Sequence, residues 1–416
     1  MYKRQLTELF DIQNDKVNFL KARVNYGTTG KDAGLYLLNS VFVGNPLIED
    51  WPDIYDITLP FNNQSGFSRG NQIGNPDLKP ELTTTLELGL DAGFFKDRIS
   101  LDYTYFRSVH DNQIVIVSLS DASGFGNTPK NVGRIINKGH EITLGLKPFT
   151  NKNGFHWNID FNFTSINNVV DKISDETDEL VIYDSGRGVT LVAEKGKPFG
   201  TFKGTAPRFD PNGNQIVAGG LPVYSAEAQA LGNIQPDWIG GFSTQIGYKN
   251  WSFNALLDTR QGNDIFSLTK FYTEFNGTAS TTTIFDRKPF IIPNSVEETI
   301  NPDGTATYTP NTTETLADAF IDDGNWGRNI LDGSFVKLRE VGLSYVFPKR
   351  YVDKIKASDL SLSLFVRNPF IWLPEENSFA DPEVNGPGTA QSNISGIETT
   401  QTPPSRSFGV SLNLKY

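Results

Sequence analysis

The sequence predicts an all-β protein, an antiparallel transmembrane β-barrel, and three observations carry that prediction. Apolar and polar residues alternate in segment after segment. The segments are joined by connections that switch strictly between short and long. The composition is that of a turn-rich β protein, with 38 glycines and 30 phenylalanines but one methionine and no cysteine in 416 residues. A period of two puts alternate side chains on opposite faces of a strand, and glycine serves the turns between strands. Mean hydropathy is −0.34, and no run approaches the roughly 18 to 20 consecutive apolar residues of a spanning helix. A barrel strand needs only about 9 to 11 residues, and half of them are polar.

The strands follow in order. Leu20, Ala22, Val24 and Tyr26 alternate with Lys21, Arg23 and Asn25; Leu86, Leu88, Leu90 and Ala92 alternate with Glu87, Gly89 and Asp91. Ile99, Leu101, Tyr103 and Tyr105 face away from Ser100, Asp102 and Thr104, and Phe155, Trp157, Ile159, Phe161 and Phe163 oppose His156, Asn158, Asp160 and Asn162. Further strands are expected near 134–148, 238–248, 251–261, 335–347 and 359–369. The chain closes on FGVSLNLKY, where Phe408, Val410, Leu412, Leu414 and Tyr416 alternate with Gly409, Ser411, Asn413 and Lys415. That makes about ten strands, each of a length that suits a membrane wall.

Counted back from Tyr416, the gaps run long (370–404), short (348–358), long (262–334), short (249–250), long (169–237), short (149–154), long (108–133), short (94–97) and long (27–81). Tight turns on one rim and long loops on the other belong to an outer-membrane barrel, whereas a Greek-key sandwich gives no reason for that sidedness. The polar faces also carry Lys21, Arg23, Glu87, Asp91, Asp102, Asp160 and Arg367, which suits a wet lumen better than a dry core. Without cysteine there is no disulfide framework and no cysteine metal site. The net charge of −11 argues against a phosphate-binding nucleic-acid surface. The opening MYKRQLTELF has no apolar signal core and no small-residue cleavage site, so either the chain is not exported or its true N-terminus lies upstream of Met1.

Several segments carry a family resemblance. NPDLKPELTTTLELGLDAGFFKDRISLDYTYFRS (75–108) resembles the stretch of TonB-dependent outer-membrane receptors in which an Asn-Pro-x-Leu-Lys-Pro-Glu segment leads into two strands around a tight turn. NVGRIINKGHEITL (131–144), LGNIQPDWIGGFSTQIGYKNWSFNALLDTRQGNDIF (231–266), GSFVKLREVGLSYVFP (333–348) and the terminal SFGVSLNLKY are similar to the SusC/RagA-like TonB-linked branch. The resemblance covers most of 70–416. It implies a partial barrel, the C-terminal ten or so strands of a wall of twenty-two, with 1–416 as one domain, the N-terminal plug absent and long extracellular loops. It further implies nutrient import of a glycan or peptide across the outer membrane of a Gram-negative, Bacteroidota-like cell. The partners implied are a SusD-like surface lipoprotein lid, the TonB complex through the missing plug, and outer-membrane lipid. Phe408, Val410, Leu412, Leu414 and Tyr416 are then the assembly signal read by the insertion machinery.

The remaining motifs read as structure. NPDLKPE is a turn entering a strand, since Pro76 and Pro80 restrict their neighbours. In DPNGNQ (210–215), Asp210, Asn212 and Asn214 mimic a calcium loop, but the glycine falls at the fourth position instead of the sixth and no glutamate stands at the twelfth. DKISDETDEL (171–180) reads as solvated loop. His110, His140 and His156 have no metal-ligand spacing, and His140 is expected on the lumen side of its strand. GFGNTP (124–129) lacks the third glycine of a dinucleotide fingerprint. Trp51, Trp326 and Trp372 lie in or beside long loops, as ligand contacts, interfacial girdle or loop packing. No cofactor, metal or enzymatic activity is expected. Two other classes stay open at this stage: a secreted or surface glycan-binding adhesin, and a ten-stranded outer-membrane protease, for which the histidines are badly placed.

Overall fold

The structure, a computed structural model, describes residues 2–10, 16–44, 66–151, 154–174, 177–186, 188–321, 325–383 and 395–416. Eleven strands form one antiparallel sheet in chain order: β1 (Tyr2–Gln5), β2 (Val17–Lys31), β3 (Glu81–Phe94), β4 (Ile99–Ser118), β5 (Asn127–Thr150), β6 (Phe155–Lys172), β7 (Trp238–Tyr248), β8 (Trp251–Gln261), β9 (Phe335–Val346), β10 (Asp359–Trp372) and β11 (Ser407–Lys415). Among the described residues β1 and β11 have one neighbour each. The ten expected strands are all present. The eleventh, β1, pairs Tyr2–Gln5 with Val24–Lys21.

Register explains why the sheet has two chemically distinct faces. Ala92, Leu101, Leu144, Phe161, Phe242, Leu257, Leu338 and Phe370 are successive cross-strand partners from β3 to β10, so one row of the outer face is apolar across eight strands. A slip of a single residue would turn such a row to the lumen. The opposite face is polar by the same geometry. Ser252, Ser344, Ser363 and Ser411 form one cross-strand row, and Lys21, Arg23, Asp91 and Asp102 form an ion-pair chain at 2.5 to 2.7 Å.

Aromatic residues bound the apolar band at both ends. At the short-turn rim Trp251 packs on Tyr345 with ring centroids 4.6 Å apart, and Phe149 meets Phe155 at 5.1 Å. At the other rim Trp238 packs on Phe163 at 5.7 Å and Trp372 on Phe370 at 6.0 Å. From Trp238 to Tyr248 the 11 residues of β7, rising about 3.4 Å each and tilted about 45°, give a band of about 24 Å, the height of an outer-membrane apolar belt. No helix among the described residues is long and apolar enough to cross a membrane.

Two expectations about the strands need correction. The connection 108–133 is not a long loop: β4 and β5 stay paired to Ser118↔Asn127, so the long side is a projecting hairpin. Asn112, at φ +58°, interrupts the alternation there, and beyond it Val115 and Val117 turn into a core. His140 faces outward, not into the lumen. It shares its face with Ile142 and Leu144, pairs with Tyr105, and accepts or donates one hydrogen bond with the Tyr103 hydroxyl at 2.9 Å.

The long loops fold together. Strands 179–184, 190–194, 201–204 and 229–233 make one four-stranded sheet; 215–218 and 221–222 from the same loop join 295–300 and 306–310 in a second. A third sheet takes 264–267, 330–332 and 397–398 from two loops. Leu191, Phe202, Phe266 and Ile397 of this cap are each 1% exposed and share one cluster with Val189 and Ile234. Burying each of these large side chains contributes roughly 1.5 to 3 kcal/mol. Gly396, at φ +75°, closes the cluster, since a Cβ there would stand 2.4 Å from Ile234 Cγ2.

Candidate functional site

The site is built where the cap meets the lumen wall, on β8 and β9. Strand β9 breaks its alternation between Leu338 and Val341: the register shifts there against both neighbours, and Arg339 has no cross-strand partner. Such a bulge adds one residue to a strand and re-aims its side chains, so Arg339 and Glu340 both reach the polar face while Leu338 and Val341 stay outside. Lys337, 5% exposed, completes a basic pair one residue before the bulge.

A strap that leaves β10 after Trp372 folds back onto this pair. Asn377, 1% exposed, fixes its turn by accepting from the Ala380 amide at 3.2 Å and donating to the Asp332 carbonyl at 3.4 Å. Lys337 Nζ then donates to both oxygens of Asp381, at 2.7 and 2.8 Å, and also to Glu383. Arg339 donates to Asp258 of β8 through Nε and Nη2, each at 2.7 Å, and to Glu383. A two-pronged guanidinium contact fixes direction as well as charge. Burial pushes the Glu383 carboxyl up, but the hydrogen bonds from Arg339 and Lys337 outweigh it and hold the group below the ordinary glutamate range.

That direction gives a pH dependence. A carboxylate with a depressed folded-state pKa stabilises above its unfolded value and loses that contribution as pH falls through the folded one. The strap is therefore expected to stay seated at pH 5 to 8 and to be released below the ordinary carboxylate range. Proteolysis after residue 372, measured across that range, checks it; cleavage that is already full at pH 7 would count against the clamp.

The other sequence motifs resolve into packing. In NPDLKPE the Asn75 side chain accepts from the Asp77 amide at 3.0 Å, and Lys79 and Asn131 exchange reciprocal hydrogen bonds at 2.9 Å. Two of the family-like motifs therefore touch, which extends the turn reading. Asp210 accepts from the amides of Asn212 and Asn214, and from the Asn214 side chain, at 2.8 to 2.9 Å. The Asn214 contact leads those that hold its carboxyl below the ordinary range, and these contacts close a turn. Among the described residues no His, Cys, Asp and Glu group could hold a metal. DKISDETDEL is mostly exposed, with Asp178 74% exposed while it pairs with Lys195 at 3.2 Å, and Glu179 pairs with Lys203 at 2.5 Å; residues 175 and 176 lie outside the described set.

Trp326 is internal loop packing, stacked 4.0 Å from Phe271. Trp372 belongs to the outer girdle, and Trp51 lies outside the described residues. Sequence reasoning missed one catalytic-looking spacing: GFSRG (66–70) matches the nucleophile elbow G-x-S-x-G. That motif needs a strand-to-helix turn, whereas Ser68–Arg69 pairs with Phe42–Val43 in a two-residue ladder and no helix follows it. The terminal Phe408, Val410 and Leu412 are 74%, 71% and 64% exposed on the outer face of the edge strand β11. Leu414 is 38% exposed, and Tyr416 follows the strand's last paired residue.

An apolar outer band, a polar lumen, a one-sided cap and a charged strap define the wall of a membrane β-barrel with one capped rim. The chain belongs to the TonB-dependent receptor-like β-barrel family, whose model matches residues 14–368, a family of outer-membrane transport receptors. It is similar to TonB-dependent receptor P3 of Formosa agariphila, 26% identical over 98% of this chain and 40% of that protein. It is also similar to TonB-dependent receptor SusC of Bacteroides thetaiotaomicron, 23% identical over 95% of this chain and 37% of that protein. Among solved structures the RagAB peptide transporter superposes with a TM-score of 0.69 at 18% identity, covering 100% of this chain and 43% of that one. The chain thus spans about two fifths of the length of the curated relatives it matches.

Proposed function

We propose that this chain forms the C-terminal barrel portion of a SusC-like importer that takes up a glycan or peptide nutrient across the outer membrane. A SusD-like lipoprotein covers the cap, and the TonB complex opens the pore through a plug that lies outside the chain. The observation that carries this reading is the cap. The connections 173–237, 262–334 and 373–406 all emerge on one rim and share one folded body over the lumen mouth. Recognition loops on a rigid barrel occupy that position. Transport of this kind needs binding and gating, so no catalytic residues are assigned.

Sidedness is tested by placing single cysteines in a chain that has none. In the full-length receptor on intact cells, Asp303→Cys at the tip of the 295–310 hairpin should react with an impermeant maleimide. Lys249→Cys in the β7–β8 turn should react only after the outer membrane is breached. The reverse pattern would invert the topology and end the import reading. For the activity, cells lacking the receptor should lose growth on at least one glycan or oligopeptide in a panel of sole carbon sources, as cells lacking TonB do. Growth unaltered across the panel would leave a surface adhesin as the better account.

A further inference from the structure

We infer that Arg107 and Lys138 form a binding site for the phosphate groups of outer-leaflet lipid on the outer wall of the barrel. The inference rests on the membrane reading and adds a ligand to a face that import itself does not use. Arg107 and Lys138 are direct cross-strand partners on β4 and β5, both exposed. Each stands two residues beyond an outward aromatic girdle residue, Tyr105 and His140, toward the cap side. Like charges placed opposite each other in a sheet repel. Among the described residues neither has an ion-pair partner: the outward acids further along these strands, Asp111 and Asp171, both lie against Arg134, at 2.8 and 4.0 Å.

On one side the row continues with the exposed Asn167, the partner of Lys138, and on the other with the half-buried Leu86, the partner of Arg107, and then Tyr26, 69% exposed. A phosphate seated between the two cations removes their repulsion and takes charge-assisted hydrogen bonds from both. The apolar band begins directly below. On β6 and β7 the bare Gly240 lies between Phe163, Trp238 and Phe242 and leaves an outward depression of about 610 Å³, which suits an acyl chain. A tethered lipid phosphate satisfies the cations and the depression together, and free inorganic phosphate satisfies only the first.

The test uses the full-length receptor in mild detergent, titrated with phosphorylated lipid A and with the same lipid A stripped of phosphate, and read by native mass spectrometry. At about 1 kcal/mol per basic residue near a membrane surface, the wild type should prefer the phosphorylated lipid by about thirtyfold, roughly 2 kcal/mol. Arg107→Gln with Lys138→Gln should abolish that preference, and Arg107→Lys with Lys138→Arg should keep it. Equal affinity of the wild type for the two lipids, or a preference that survives the double glutamine variant, overturns the inference. Heat-modifiable migration separates the two readings. A receptor that never forms a detergent-resistant barrel ends the membrane reading and this one with it, while an inserted receptor without the preference ends only this one.

Discussion

Arginine at Val410 is expected to cost the full-length receptor about 2 to 4 kcal/mol of folded stability, the range for a cation near the bilayer midplane. The alternation of FGVSLNLKY points Val410 outward, and the register ties it to Leu364 and, through β10, to Leu343 and Phe253. Two residues further, Leu412 pairs with Leu362, whose partner Tyr345 packs on Trp251 in the girdle of the short-turn rim. Leu412→Arg should therefore cost less than Val410→Arg, because the penalty falls to about 0 to 1 kcal/mol near an interface. Ser411→Arg should cost least, since Ser411 ends the serine row of the lumen face. Yield of heat-modifiable barrel from the three variants checks the order. Equal losses from Val410→Arg and Ser411→Arg would remove the claim that β11 has a lipid side, and with it the proposal that the outward row serves as an assembly signal.

Lys337→Ala is expected to free the strap. Removing one partner of a buried ion pair costs about 3 to 5 kcal/mol because the other charge is left uncompensated. The pair here, with side chains 6% and 12% exposed for Lys337 and Asp381, falls at the lower end because Glu383 keeps Arg339. A loss of about 3 kcal/mol corresponds to roughly a hundredfold rise in strap opening. Hydrogen exchange of the Ala380 and Glu383 amides, both hydrogen-bonded inside the strap, should accelerate by that factor. The amides of β7 and β8 should not respond. Unchanged exchange in the strap would show that its seat is held by something other than this charge cluster.

The wall was legible in the sequence because a half-buried sheet writes its two faces directly as a period of two. The four residues of β1 are too few to show a period, and they acquire strand geometry only by pairing with β2. The β4–β5 extension escaped because past Asn112 the run QIVIVS packs one face into the cap, which blurs the alternation. The cap itself could not be read. Leu191, Phe202, Ile234, Phe266 and Ile397 come from short segments of three loops, and nothing local marks them as neighbours. The site did leave one trace: Arg339 and Glu340 stand side by side in a strand that otherwise alternates, and adjacent charges between Leu338 and Val341 signal a bulge. His140 is polar enough to suggest a lumen position, but Ile142 and Leu144 continue its face, which is the outer one.

The shared core of the cap also constrains how its loops diverge. Ile234 belongs to the first of the three loops, Phe266 to the second and Ile397 to the third, and all three share one buried cluster. A loop transplanted alone from a relative would bring its own core residues into a space shaped by two foreign ones, so single-loop chimaeras are expected to misfold where three-loop chimaeras fold. Divergence of the cap is then confined to two routes: concerted change across segments far apart in the gene, or change restricted to outward positions such as the 301–305 turn, which the core does not feel.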